Sequence, residues 1–280
     1  MNKNKVLNYI FLFLERFLKF KYFFVVRYNS FLNRKKNKRF FSSIYQHESM
    51  LNDSKRLDCY RESILTEISS QDVVLDLGTG TGILSFLIAK QGARLVYALD
   101  HSDIVYLAKH IGQNNNFDNI KYIHSNSNDF IPEEKLTAIV HEQIGNALFN
   151  EDMVADLLDA RNRFLKPGGK IIPSKFDFFI EPVQLYDEFN IKRIQNYDFN
   201  GIDFSFASSY FNEKNNIKNS DHRLLPLGAI RYLLSKPKPC YRLDLNTLNS
   251  EEDIPKTFLC KRKRKNSYRL DGFCIFFNIV

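Results

Sequence analysis

Between Val73 and Asp100 the chain is apolar, then glycine-rich, then apolar at helical spacing, then apolar again up to a terminal acid. Val73 to Leu77 is a short run, broken only by Asp76, of the kind that forms a fully buried parallel strand. Gly78, Gly80 and Gly82 alternate with threonines, and glycine lets a ligand approach the backbone with no Cβ in the way. Ile83, Leu84, Leu87 and Ile88 then recur as on one helix face, and Gly92 stands where a helix C-cap glycine belongs. Arg94 to Leu99 predicts a second strand ending on Asp100. Strand, glycine turn, helix, strand and acid make one half of a nucleotide-binding doubly wound sheet.

The same alternation extends in both directions. Upstream, Asp53 to Ser69 predicts a helix with Leu57, Tyr60, Ile64 and Ile68 on one face. Downstream come a helix over Asp103 to Gln113 behind a Ser102 cap, strands over Ile120 to His124 and Lys135 to Val140, and a helix over Val154 to Leu165. Lys166-Pro167-Gly168-Gly169 stops that helix, and Lys170 to Pro173 begins a fifth strand. Thereafter the pattern changes to short β-type runs at Phe176 to Val183, Cys240 to Leu245, Phe258 to Lys261 and Gly272 to Val280, with an Asn-rich exposed loop over Phe211 to Arg223. This divides the chain into residues 1–43, an N-terminal Phe-rich helix and basic linker; 44–180, an α/β domain; and 181–280, a β-rich domain.

In the N-terminal stretch, Val6 to Leu14 and Tyr22 to Val26 are apolar but separated by Glu15, Arg16, Lys19 and Lys21. A spanning helix needs ~20 predominantly apolar residues, and no small-residue cleavage site follows as a signal peptide requires. The favoured reading is a helix packed on the domain or a partner. The other is peripheral membrane contact through residues 6–28.

Charge adds little. Much of the net +8 lies in two runs, Arg34 to Arg39 and Lys261 to Lys265. Neither has the interleaved aromatics of a stacking platform, so both read as solvated charge and no specific nucleic-acid partner is expected. The four cysteines (Cys59, Cys240, Cys260 and Cys274) show neither C-x-x-C pairing nor metal-ligand spacing, which predicts a reducing, cytoplasmic compartment and no metal.

Two places can carry chemistry. The glycine turn is G-x-G-x-G, with Ile83 where the dinucleotide fingerprint needs glycine, and the chain has no phosphate-binding G-x-x-x-x-G-K-[ST] loop. Asp76 offers a carboxylate to a cationic group and Asp100 can accept from ribose hydroxyls, so a ligand with an amino-acid end, a ribose and no phosphate fits better than NAD. The second place is His141 to Met153, which brackets a loop with Glu142 and Glu151 at the carboxyl end of a parallel strand, where open α/β sheets bind ligands. Taken by itself, Glu151 could instead complement the N-terminus of the next helix.

The Asp76 to Gly82 pattern, D-x-G-x-G-x-G, resembles motif I of class I S-adenosylmethionine-dependent methyltransferases. His47, Met50, Leu51, Asp53, Arg56, Tyr60 and Arg61 fit H-x-x-M-L-x-D-x-x-R-x-x-x-Y-R, which resembles the segment upstream of motif I in protein arginine methyltransferases. Glu142, Gly145, Leu148, Glu151 and Met153 match that family's double-glutamate loop, S-E-W-M-G-Y-x-L-x-x-E-x-M, while Gln143, Ile144 and Asn146 replace its Trp, Met and Tyr.

The resemblance implies a class I methyltransferase Rossmann-like sheet followed by a partial β-barrel. S-adenosyl-L-methionine would lie over Gly78, Gly80 and Gly82, with Arg56 on its carboxylate, Asp76 and Asp100 as further contacts, and Asn128 near the adenine. Glu142 and Glu151 would clamp an arginine of a protein substrate, with His47, Met50 and Met153 at the substrate pocket. Asn200 to Ser205, Leu234 to Pro239, Leu243 to Leu245 and Asp271 to Phe273 look similar to the family's barrel and dimerisation arm, implying a homodimer. The family's T-H-W loop has no counterpart and the sequence contains no Trp, which implies an abbreviated or truncated barrel. Gly272 to Val280 would then be an edge strand, covered by the N-terminal helix or a second subunit. Two other functions fit the altered pocket: methyl transfer to another side chain or a small molecule, and cofactor binding without turnover.

Overall fold

The computed structural model describes residues 44–144, 148–149, 153–190, 196, 198–199, 201–207, 225, 227–255, 257–263 and 268–280. The N-terminal segment, and with it the packing-helix and membrane readings of residues 6–28, lies outside the described residues. Two compact units emerge, residues 1–144 with 152–173 and residues 145–151 with 174–280.

The first unit carries helices α1 (Ile44–Leu51) and α2 (Ser54–Glu67) ahead of alternating β1 (Val73–Leu77), α3 (Ile83–Lys90), β2 (Leu95–Asp100), α4 (Ile104–Asn114), β3 (Ile120–His124), β4 (Leu136–His141), α5 (Met153–Phe164) and β5 (Leu165–Ile172). The strands form one sheet in the order β3-β2-β1-β4-β5, with every pairing parallel. All five residues of β1 are buried, Asp76 among them, as a central strand of a doubly wound sheet requires. Tyr60, Ile64 and Ile68 pack into a cluster with Val74, Val96, Ala98 and Val140, which fixes α2 against the sheet. Because β1 and β4 adjoin, Leu77 pairs with His141, and the glycine turn and the Glu142 loop leave neighbouring strands at the same end.

Two local expectations are corrected here. Ser102 does not cap α4: its hydroxyl donates to Asp100 Oδ1 at 2.8 Å, and Asp103 takes the N-cap position without a side-chain bond. Nor does Lys166 to Gly169 delay the fifth strand, since β5 begins at Leu165 and absorbs the turn as an irregularity opposite Leu136 to Ala138.

The second unit is built on β6 (Lys175–Leu185), which takes the stretch before Ile180 out of the first domain. A short hairpin of β7 (Asp198–Phe199) and β8 (Ile202–Asp203) follows, then β9 (Ile230–Leu233), β10 (Tyr241–Asp244) and β11 (Gly272–Ile279). β6 pairs antiparallel with β9, β10 and β11, and β11 lies along it from Gly272 opposite Val183 to Ile279 opposite Phe176. Phe258 to Lys261 forms no strand; Phe258 instead stacks with Phe149 and contacts Phe178. Among the described residues no further strand covers the other edge of β11, where Phe273, Ile275 and Ile279 are exposed.

Cysteine usage is also corrected. Cys240 and Cys260 form a disulfide with Cα atoms 5.6 Å apart, closing a link across 20 residues that spacing alone did not reveal. Cys59 and Cys274 are free thiols.

Candidate functional site

The glycine turn is held by backbone. Gly78 N–H and Thr79 N–H both donate to Leu99 O at 2.9 Å, tying the end of β1 to the end of β2. Gly80 N–H donates to Asp100 Oδ2 at 2.9 Å, so the acid that ends β2 also shapes the turn. Its other oxygen accepts from Ser102 N–H and hydroxyl, each at 2.8 Å. A carboxylate has about four lone-pair sites, which leaves Asp100 capacity for ribose hydroxyls. Gly78 and Gly80 have φ of +79° and +53°, and a Cβ on either would crowd a neighbour: Gln143 Nε2 at 2.9 Å from the first, the His47 ring at 3.1 Å from the second. Glycine is required at both for conformation and for space.

Asp76 is placed differently from the expected ligand contact. It is fully buried beneath the turn, and its Oδ2 accepts from the Ser85 hydroxyl at 2.6 Å and the Thr79 hydroxyl at 2.7 Å. Burial pushes its pKa up to about 6 against the pull of those hydroxyls. Asp76 therefore organises the turn from below.

Arg56 and Glu142, which the sequence reading assigned to different ligands, touch. Asp53 caps α2 by accepting from Arg56 N–H at 3.2 Å, and the first turn of that helix presents the guanidinium to the end of β4. Arg56 Nη1 donates to Glu142 Oε1 at 2.5 Å, and Nη2 donates to Met50 O at 2.7 Å. Arg56 Nε is buried with no hydrogen-bond partner. Tyr60, one turn further along α2, donates its hydroxyl to His141 O at 2.8 Å and so fixes the residue before Glu142. Burial raises the Tyr60 pKa, with the Glu142 charge adding to it, so the phenol stays a donor. His141 is fully buried, and burial lowers its pKa to about 4. It is a neutral imidazole whose Nε2–H donates to Pro173 O at 2.8 Å.

The remaining expected residues divide. His47 is buried over Gly80, and Met50 is half-buried with its carbonyl on Arg56. Met153, expected in the substrate pocket, opens α5 with only 1% of its surface exposed and acts as core packing. Asn128 is exposed in a turn after β3, and no described contact joins it to the glycine turn. Glu151 lies outside the described residues. Two contributors went unassigned from sequence, Tyr60 as a strut for the loop and Gln143 as a lid on Gly78, although the spaced Tyr of the α2 signature was a usable signal for the first.

The geometry fits a ligand with an amino-acid end and a ribose. A guanidinium with a nitrogen that donates no hydrogen bond suits a carboxylate, Gly78 and Gly80 admit close approach because they lack Cβ atoms, and Asp100 stands at the strand end. Among the described residues, no group of three or more His, Cys, Asp or Glu could hold a metal.

Residues 59–175 match the family model described as ribosomal protein L11 methyltransferase, which covers the first unit's cofactor half. Over 86% of its length the chain is 34% identical to protein arginine N-methyltransferase 6 of Danio rerio, covering 69% of that protein. It is 38% identical over 147 residues to probable protein arginine N-methyltransferase 6 of Arabidopsis thaliana, about a third of which (34%) it spans. Among solved structures, the Trypanosoma brucei PRMT1 enzyme–prozyme heterotetrameric complex with AdoHcy superposes with a TM-score of 0.63 at 27% identity, over 76% of this chain and 66% of that one. Arabidopsis thaliana protein arginine methyltransferase 10 gives 0.61 at 27% identity over the same shares.

Proposed function

The chain belongs to the protein arginine N-methyltransferase family, and on that premise we propose that it transfers a methyl group from S-adenosylmethionine to a guanidino nitrogen of an arginine side chain in a protein. The observation that carries this reading is the Arg56–Glu142 pair: beside the glycine turn, a carboxylate at the end of a parallel strand is already gripping a guanidinium at 2.5 Å.

S-adenosylmethionine, when bound, supplies an electrophilic methyl on sulfur. Arg56 would hold its carboxylate, the Gly78 to Gly82 turn would receive it, and Asp100 would accept from its ribose. The protein's remaining task is the acceptor. A guanidinium stays protonated and spreads its charge over three nitrogens, which makes it a poor nucleophile. Glu142 and Glu151, each accepting from a different nitrogen, would fix its plane and draw positive charge toward the nitrogens they contact. The remaining nitrogen is then aimed along the transfer line. Orientation of this kind contributes up to ~7–11 kcal/mol in well-aligned reactions. The glutamates also offset charge in the transition state and can take the departing proton.

The test is incubation of the full chain with isotope-labelled S-adenosylmethionine and an arginine-rich protein, followed by mass spectrometry of the labelled residue. Label on an arginine guanidino nitrogen supports the assignment. Label on a small molecule or another side chain, or no turnover despite cofactor binding, would replace it with one of the two other functions.

A homodimer is favoured by an apolar groove of about 330 Å³ whose lining includes Ile44, Leu51, Ile83, Phe86, Leu107 and Ile111. The second unit presents Ile202, Phe204 and Phe206 to solvent on and after β8, an apolar projection that a second copy's groove would cover. Leu107→Glu is expected to convert a sedimenting dimer to monomer; a wild type that is monomeric at micromolar concentration would remove this part. Cytoplasmic location now rests on the exposed free thiol of Cys59 alone, because the Cys240–Cys260 bridge cancels the argument from cysteine count. A tagged protein found in the secretory pathway would overturn it.

A further inference from the structure

Gln143 directly follows Glu142 and occupies the position where the double-glutamate loop of the resembled family has Trp. Its side chain lies against the glycine turn, so close that a Cβ on Gly78 would sit 2.9 Å from Nε2 and 3.1 Å from Cγ. Its Oε1 is buried without a hydrogen-bond partner. Buried polar atoms are almost always paired, so an orphan beside the glycine turn calls for a missing donor.

Two orphans near the turn point the same way. Arg56 Nε donates no hydrogen bond, with Asp53 Oδ2 3.9 Å away, and Gln143 Oε1 accepts none. An α-amino acid carries the matching pair, a carboxylate that accepts and an ammonium that donates. Arg56 answers the carboxylate, which leaves the ammonium for an acceptor. Asp76 Oδ1 is a third orphan, but the whole of Asp76 is sealed under the turn, whereas Gln143 is partly exposed around its enclosed Oε1. Trp has an N–H and no acceptor, so an amide at this position supplies a hydrogen bond that Trp cannot.

We propose that Gln143 is a cofactor-binding residue whose side-chain carbonyl accepts a hydrogen bond from the α-ammonium of S-adenosylmethionine. This rests on the cofactor assignment above. It makes recognition of the amino-acid end two-sided, with Arg56 on the acid and Gln143 on the amine, and it assigns a role to a substitution within the double-glutamate loop.

The experiment is calorimetric titration of the full chain with S-adenosylhomocysteine and with its analogue lacking the α-amino group, on the wild type, Gln143→Leu and Gln143→Glu. The wild type is expected to bind S-adenosylhomocysteine at least tenfold more tightly than the deamino analogue. Gln143→Leu should weaken S-adenosylhomocysteine about tenfold to a hundredfold, the range of a hydrogen bond to a charged group. It should leave the deamino analogue within about threefold, so that discrimination between the ligands collapses. Gln143→Glu keeps an acceptor and should retain that discrimination. A loss in Gln143→Leu that is equal for both ligands means general packing damage and overturns the proposal, as does an unchanged affinity for S-adenosylhomocysteine. A folded wild type that binds neither ligand would remove the cofactor assignment itself, a distinct outcome that overturns both.

Discussion

Glu142→Gln should reduce methyl transfer by at least about 10²–10³-fold, the scale of losing one preorganised electrostatic partner in a water-excluded site, while S-adenosylhomocysteine affinity stays within about threefold. Glutamine keeps the size of the side chain and one carbonyl acceptor, so Arg56 Nη1 retains a hydrogen bond and α2 keeps its place. What disappears is the charge that would hold and polarise the acceptor guanidinium. The Arg56–Glu142 contact sharpens this expectation. If Glu142 served chiefly to position Arg56, the substitution would raise the cofactor Kd more than it lowers kcat. Single-turnover rates at saturating cofactor, read beside calorimetric affinities, separate the two. A collapse of cofactor binding with an intact rate at saturation would make Glu142 a positioning residue for Arg56.

How much of this was visible along the chain depended on what each residue's neighbours are. The order of the first unit was legible because continuous apolar runs, a glycine turn and helical periodicity are local signals, and Ile120–His124 is found at the expected bounds. Asp100 and Glu142 could be nominated from their places at strand ends, and Arg56 from the family resemblance. That Arg56 and Glu142 share a hydrogen bond across 86 positions could not, since it depends on β1 and β4 being neighbours. The burial of Asp76 beneath the turn was hidden for a related reason. Sequence shows a carboxylate beside glycines but not which way a strand residue points, and here it points inward to Ser85, a partner on the next helix. The cysteine pair failed similarly, because a bridge over 20 residues leaves no motif. Charge runs are the weakest guide. Lys261 to Lys265 read as solvated, yet Arg262 within it is the counter-ion of a fully buried acid.

That acid is Glu181 on β6, with no exposed side-chain surface, facing an Arg262 side chain only 11% exposed. Arg262 Nε donates to both Glu181 oxygens at 2.8 Å, and the Ser235 hydroxyl and Lys238 N–H complete the acid's partners. Burial alone would push the Glu181 carboxyl up, but the bonds from Arg262, Ser235 and Lys238 outweigh it and hold the carboxyl below its ordinary range. Arg262→Met leaves a buried anion with two neutral donors, and breaking a buried pair in this way costs about 3–5 kcal/mol. The second unit of this variant should melt well below wild type in scanning calorimetry, and the deficit should narrow as pH falls. The sign follows from linkage: a depressed carboxyl gives stability that is present at neutral pH and lost as pH drops through its folded pKa, so wild type has more to lose on acidification than the variant. Glu181→Leu combined with Arg262→Met removes both charges and should recover much of the loss, since an apolar pair of similar volume is often no less stable than an ion pair. If Arg262→Met melts with wild type, the guanidinium is not what keeps Glu181 ionised in the core.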